Sequence, residues 1–122
     1  MAEPRRPLAG FRIGPAGAAL VVFASWSGAA PAPPGSDPQI AEGRALFTGG
    51  ATPPCAICHT LKDAGAAGAV GPSLDELQPD EARVVAAVRG GIGAMPSFAA
   101  SLSDAQIHAV ARYVASASGG AK

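Results

Sequence analysis

Cys55-Ala56-Ile57-Cys58-His59 contains both cysteines of the 122-residue chain and one of its two histidines. The spacing is that of C-x-x-C-H, the attachment motif for c-type haem. On one helical turn, cysteines three residues apart stand on the same side, where each thiol can add across one of the two vinyl groups of a haem. The next residue then turns its imidazole toward the iron. Three other readings use the same residues: a structural disulfide in an exported protein, a thioredoxin-like dithiol, and half of a zinc site. A second ligand pair for zinc is missing, no strand–helix unit surrounds the motif, and a histidine directly follows the second cysteine. These residues favour one haem c, attached through Cys55 and Cys58.

Outward from the motif, helical signals stand on both sides and no strand is convincing. Upstream, Asp37-Pro38 reads as an N-cap with proline at the first helical position, and Ile40, Gly43, Arg44 and Phe47 share one side at helical spacing. Downstream, a second helix is expected from about Pro79 to Arg89. Asp80 and Glu81 sit in its first turn, Val84, Val85 and Val88 form its apolar side, and Gly90-Gly91 ends it. Ser103-Asp-Ala-Gln106 is a capping box opening a third helix, with Ile107, Val110, Ala111 and Val114 at i, i+3, i+4 and i+7. The expected fold class is all-α. Between the first two helices, about thirty residues punctuated by Gly65, Gly68 and Gly71 carry no such signal. A stretch of that length inside a compact domain needs a bound group to wrap.

At the N-terminus, Arg5, Arg6 and Arg12 precede an uncharged stretch from Ile13 to Ser36. Its apolar heart, Ala16 to Trp26, has eleven residues, within the roughly 7–15 of a secretory h-region and short of the roughly 20 that span a bilayer. The small residues Ser27 and Ala29 predict cleavage after Ala29. Residues 1–29 are then a signal peptide, 30–37 a Pro/Gly-rich linker, 38–117 the compact domain and 118–122 a flexible tail. The rival reading keeps the segment near Ile13 to Ala30 as an uncleaved anchor. Residues 1–29 hold three of the nine basic and one of the nine acidic residues, leaving six and eight, a net charge of about −2. That balance excludes an electrostatic nucleic-acid footprint, and a hydrophobic content of 48% excludes intrinsic disorder. Beyond residue 29 the aromatic residues are Phe47, Phe98 and Tyr113, and Met95 is the one methionine. So few large side chains make a thin core for about 80 residues, which again asks for something to fill the middle.

Several separated features resemble class I cytochromes c, over a span from about Ile40 to Ala117. They are Gly43 and Phe47, C-x-x-C-H at 55–59, Gly71-Pro72-x-Leu74, Met95-Pro96 in a glycine-rich loop, and Val110-x-x-Tyr113-Val114, in the family's order. The resemblance implies a small cytochrome c fold in which three main helices and long loops surround one covalently bound haem. It implies that the first and last helices cross at Gly43, with Phe47 and Tyr113 packed around the crossing. It also implies that the Pro72 carbonyl accepts the other ring N–H of His59, the kind of partner a ligating histidine usually has. Leu74, with Ile57, Val88, Ile92 and Phe98, is expected to cover a haem face, with plain core as the alternative for each. An iron held by His59 needs a sixth ligand if it is to change oxidation state with little rearrangement, and a thioether favours the ferrous form. Met95 is the candidate: Gly90, Gly91 and Gly93 let the backbone approach, and Pro96 biases Met95 toward an extended conformation. His108 competes, but it sits beside the apolar stripe of the last helix, as a surface residue would. The family often holds haem propionates with Trp or Tyr. Here no Trp remains beyond residue 29 and the single Tyr is engaged at the crossing, so the propionate partners are unassigned.

The glycine clusters at 65–71 and 90–93 have neither Walker nor dinucleotide spacing, and no Ser-His-Asp or paired-carboxylate set assembles. Asp75-Glu76 and Asp80-Glu81 read as solvated charge and helix-start chemistry. The expectation is an exported, periplasmic electron carrier rather than an enzyme, free of the membrane once the leader is cleaved. Its partners would be redox proteins, a dehydrogenase, a terminal oxidase or both. Lysines occur only at 62 and 122, so no docking ring of lysines is evident. Residues 68–77 and the loop from Gly91 to Phe98 are similar to those of small cytochrome subunits or acceptors of bacterial periplasmic sulfite dehydrogenases. The alternative is a haem-based small-ligand sensor or peroxidase in which Met95 leaves the iron. A haem-free thiol or metal-binding module is a third class.

Overall fold

The computed structural model describes residues 37–122, together with Gly10, Gly14, Gly17 and Gly28. The leader or anchor at 1–29 and the linker at 30–37 fall, apart from these glycines and Asp37, outside the described residues. Helix α1 (Pro38–Ala45) starts where its caps dictate: the Asp37 carboxylate accepts the Gln39 N–H, and Pro38 takes the first position. Past Ala45 the helix widens into one π turn, Leu46–Gly50. There the Thr48 hydroxyl donates to the Arg44 carbonyl at 3.0 Å and competes with the backbone for it. The chain then forms α2 (Cys55–Cys58) and a short antiparallel pair, β1 (Thr60–Leu61) and β2 (Ala66–Ala67), with Thr60 opposite Ala67 and Leu61 opposite Ala66. A 3-10 turn, Lys62–Ala64, and Gly65 at φ 63° make the bend between them. Helices α3 (Leu74–Leu77), α4 (Glu81–Gly90) and α5 (Asp104–Ser118) complete the order.

The three longest helices, α1, α4 and α5, are the three that capping and periodicity predict, and the fold is all-α. The one-turn helices α2 and α3 and the two-residue strand pair lie beyond the reach of those signals, because elements this short show no periodicity. Helix α4 begins later than Pro79, since Asp80 stays extended and acts as its N-cap, accepting the Arg83 N–H at 2.8 Å. Helix α5 has both halves of its capping box: Ser103 Oγ accepts the Gln106 N–H, and Gln106 Oε1 accepts the Ser103 N–H. The segment beyond 117 differs from the expected free tail. The helix runs on through Ser118, Gly119 turns left-handed at φ 86°, and the Ala121 N–H reaches back to the Ala115 carbonyl at 3.0 Å. Gly120 is buried, and a Cβ there would stand 2.1 Å from the Pro79 carbonyl oxygen.

The core forms where α1 crosses α5. A Cβ on Gly43 would lie 2.1 Å from the Ala109 carbonyl oxygen and 2.6 Å from Tyr113 Cβ, so the two backbones touch at this point. Phe47 and Tyr113 meet edge to face beside it, with ring centroids 5.9 Å apart and planes at 65°. The Tyr113 hydroxyl donates to Asp63 Oδ2 at 2.6 Å, and Arg44 stands 3.7 Å from the same carboxylate oxygen. Burial first, and then the Asp63 bond, pushes the Tyr113 hydroxyl up to about 12. Arg112 on α5 pairs with Asp37 at 2.8 Å, tying the last helix to the cap of the first. Val84 and Val88 of α4 join Ile107, Val110 and Val114 of α5 in the same core, with Leu61, Leu74 and Phe98 from the intervening segments. No helix among the described residues is long and apolar enough to cross a membrane.

Candidate haem site

Helix α2 is a single turn closed by the His59 N–H on the Cys55 carbonyl at 3.0 Å. Cys55, Cys58 and His59, at i, i+3 and i+4, therefore share one side. Ile57, at i+2, falls on the other and is 61% exposed. This corrects the expectation that Ile57 covers a haem face: it does not line the cavity described below. The two cysteines are free. Desolvation pushes the Cys55 thiol up to about 11, so at neutral pH it is a thiol and not a thiolate.

His59 Nδ1 lies 2.8 Å from the Pro72 carbonyl oxygen. A carbonyl only accepts, so Nδ1 carries a proton and donates, which makes Nε2 the lone-pair nitrogen of the neutral ring. The carbonyl is brought there by the glycine-punctuated stretch, which wraps the motif itself. The Thr60 hydroxyl donates to the Gly68 carbonyl at 2.9 Å, and the Gly71 N–H donates to the Cys58 carbonyl at 2.7 Å. Side chains have no room at either glycine. A Cβ on Gly68 would lie 2.5 Å from the Ile57 carbonyl oxygen, and one on Gly71 would lie 2.5 Å from His59 Cε1. Asp75 does more than begin α3, since its Oδ2 accepts the Lys62 N–H at 2.9 Å and holds α3 to the 60–67 hairpin.

Met95 arrives from the loop between α4 and α5. Ile92 and Met95 exchange backbone hydrogen bonds of 3.1 and 2.9 Å, closing a turn whose first central residue, Gly93, has φ 55°. A positive φ at that position is the mark of a type I′ or II′ turn, and glycine adopts it without strain. Gly91, at φ 71°, bends the chain out of α4, and a Cβ there would stand 2.8 Å from the Met95 carbonyl oxygen. The loop is anchored to α4 by the Phe98 N–H on the Val88 carbonyl at 2.9 Å and by the Ser97 hydroxyl on the Arg89 carbonyl at 2.6 Å.

These segments enclose a cavity of about 420 Å³ lined by Cys55, Cys58, His59, Pro72 and Met95 together. Leu74, Val88, Ile92 and Phe98 also line it. His108 does not: it stands on the outer side of α5, half exposed, 3.5 Å from Glu81 and 3.8 Å from Asp104. Two thiols, an imidazole with a free Nε2, a thioether and otherwise largely apolar walls are a donor set that fits haem c. One lining residue carries no signal in the sequence. Arg83, at the start of α4, borders the cavity, and nothing in the helix-start pattern distinguishes it from a solvated charge.

Comparison with known proteins points the same way. The sequence model of the family described as Cytochrome C oxidase, cbb3-type, subunit III matches residues 38–114. Cytochrome c6 of Synechocystis sp. is 35% identical over 84 residues, which are 62% of this chain and 63% of that protein. The chain thus spans less than two thirds of that relative's length. Among solved structures, the c-type cytochrome SorU from Sinorhizobium meliloti superposes with a TM-score of 0.64 at 52% identity, covering 69% of this chain and 95% of that one. Membership implies one covalent haem c, and Cys55 and Cys58 occupy the place of the attachment cysteines. The match across α1 to α5, on a fold whose loops converge on C-x-x-C-H, means that the chain belongs to this family and is a class I monohaem c-type cytochrome.

Proposed function

We propose that the chain carries single electrons between redox proteins in the periplasm, with His59 and Met95 as the axial ligands of its haem iron. The observation that carries this reading is the 2.8 Å hydrogen bond between His59 Nδ1 and the Pro72 carbonyl. It keeps Nε2 free to coordinate, fixes the ring orientation and raises the basicity of the ligand. When bound, haem c supplies a one-electron ferric/ferrous couple. Met95 lines the same cavity as His59, and the Ile92–Met95 pairing and the Phe98–Val88 bond hold its loop. Leu74, buried on the cavity wall, shields the same space from water. Val70 and Ile92 line the cavity and are 74% and 68% exposed, forming an apolar rim suited to the small, brief interfaces of redox encounters.

The export signal read at 1–29 supports a periplasmic location. The stretches 68–77 and 91–98 support a sulfite dehydrogenase as electron donor, and the family description, which names an oxidase subunit, supports a terminal oxidase as acceptor. The test is absorption spectroscopy of protein matured in a host with a cytochrome c assembly system, ferric, ferrous, and ferrous with carbon monoxide. Wild type should show covalent low-spin haem with the far-red ferric methionine–iron band and no response to carbon monoxide. Met95→Ala should lose the band and bind carbon monoxide. Ready binding by wild type would open the sixth position and replace the carrier with a ligand sensor or peroxidase.

A further inference from the structure

We propose that Arg83 is the cationic anchor of a haem propionate, an assignment that rests on the covalent-haem reading above. A haem brings two carboxylates into its cavity, and carboxylates held against apolar walls need a cation or several donors. Among the described residues lining this cavity, Arg83 has the one permanently charged side chain, and no Trp, Tyr, Ser, Thr, Asn or Gln lines it. The other described arginines are already paired: Arg44 with Asp63, Arg89 with Asp104, and Arg112 with Asp37. Lys62 and Lys122 do not border the cavity.

Arg83 pairs with no carboxylate among the described residues. The Asp80 carboxylate three residues earlier accepts the Arg83 backbone N–H at 2.8 Å, as a helix cap, and leaves the guanidinium free. Its α-carbon is fixed on a capped helix whose Val84 and Val88 are buried in the core, while the side chain itself is exposed at the cavity's border. That is the arrangement a propionate requires: the apolar ring inside, the carboxylate at the edge, and a planar fork of donors to meet it. Among the described residues no Trp or Tyr lines the cavity, and a charge from α4 takes that place.

A guanidinium bound to a propionate offsets negative charge close to the iron and so favours the ferrous form. The experiment is a spectroelectrochemical titration of the haem-loaded full chain at one pH and ionic strength, with wild type, Arg83→Gln, Arg83→Lys and Arg112→Gln. Resonance Raman spectra of the same samples report the propionate bending modes. The expected result is a lowered midpoint potential and shifted propionate modes in Arg83→Gln, substantial recovery of the potential in Arg83→Lys, and no change in Arg112→Gln, which removes the same charge away from the cavity. An Arg83→Gln protein with intact haem bands, unchanged potential and unchanged propionate modes would overturn the assignment and leave Arg83 a solvated surface residue. Wild-type protein without covalent haem would instead overturn the carrier reading itself.

Discussion

Replacing Gly43 with alanine tests the helix crossing on which the fold is built. The added Cβ would stand 2.1 Å from the Ala109 carbonyl oxygen and 2.6 Å from Tyr113 Cβ. Both are atoms that no rotamer change can move. Restoring an ordinary contact of 3.4 Å to that oxygen means opening the α1–α5 crossing by about 1.3 Å, through a core containing Phe47 and Val110. Overpacking of this kind costs about 1–3 kcal/mol, and the crossing, made by backbone, belongs at the upper end. Alanine returns up to about 1 kcal/mol of helix propensity, so the net loss is about 2 kcal/mol. For a domain of this size that lowers Tm by roughly 8–16 °C. The assay is thermal unfolding of the haem-loaded protein followed by far-ultraviolet circular dichroism, with Gly90→Ala as the control. Gly90 ends α4 in open space, with nothing within 4 Å of an added Cβ and no positive φ, so the same substitution there should leave Tm unchanged or raise it slightly. A Gly43→Ala protein as stable as wild type would refute the backbone-contact argument, because no other compensation for a 2.1 Å approach is open to it.

Gly71→Ala should disturb the proposed ligand His59 rather than the fold: its Cβ would press to 2.5 Å from His59 Cε1, displacing the ring from Pro72 and changing the midpoint potential and the low-spin spectrum. Tyr113 keeps its proton to a higher pH when folded than when unfolded, so its contribution is intact below about 10 and is lost as pH rises toward about 12. Denaturant titrations at pH 8 and pH 11 should show wild type losing more stability than Tyr113→Phe, which itself loses about 1 kcal/mol at pH 8 with the Asp63 bond. The double variant Cys55→Ala/Cys58→Ala, purified without haem, should lack a cooperative thermal transition and show collapsed amide dispersion by NMR. A sharp transition within a few degrees of wild type would contradict this.

What is legible in the chain alone is local. The C-x-x-C-H turn, the Asp37 cap and the Ser103–Gln106 box are set by chemistry within four or five residues, and the structure contains each of them. Gly43 and Pro72 are legible only through the order of family motifs, since their partners lie far along the chain at Ala109 and at His59. The Tyr113–Asp63 bond joins residues fifty positions apart, and the Asp75–Lys62 bond joins two segments with no periodicity. Nothing in composition or spacing announces either. Ile57 misleads because apolar character alone does not say which way a residue turns around the helix: between two cysteines on one side, i+2 has nowhere to go but outward. Gly119 and Gly120 look like a tail because glycine usually marks the end of order, yet here the lack of a side chain lets the chain pass over Pro79.

The cavity explains why so small a chain can hold this arrangement at all. A cavity of about 420 Å³ lined mainly by apolar side chains leaves those side chains without packing partners unless a group fills it. The chain beyond residue 29 has three aromatic residues and many alanines with which to close such a gap, and α4, α5 and the Met95 loop, packed against one another elsewhere, all contribute to its walls. The filling group is thus part of the core, and the helices and its ligands are not separable problems. Gly68 and Gly71 bring the hairpin against the cysteine turn and the histidine ring, and the Phe98 N–H on the Val88 carbonyl holds the Met95 loop against α4. Each contact both closes the core and orients a proposed ligand, so weakening the fold at Gly43 and disturbing His59 through Gly71 are two routes into one cooperative unit.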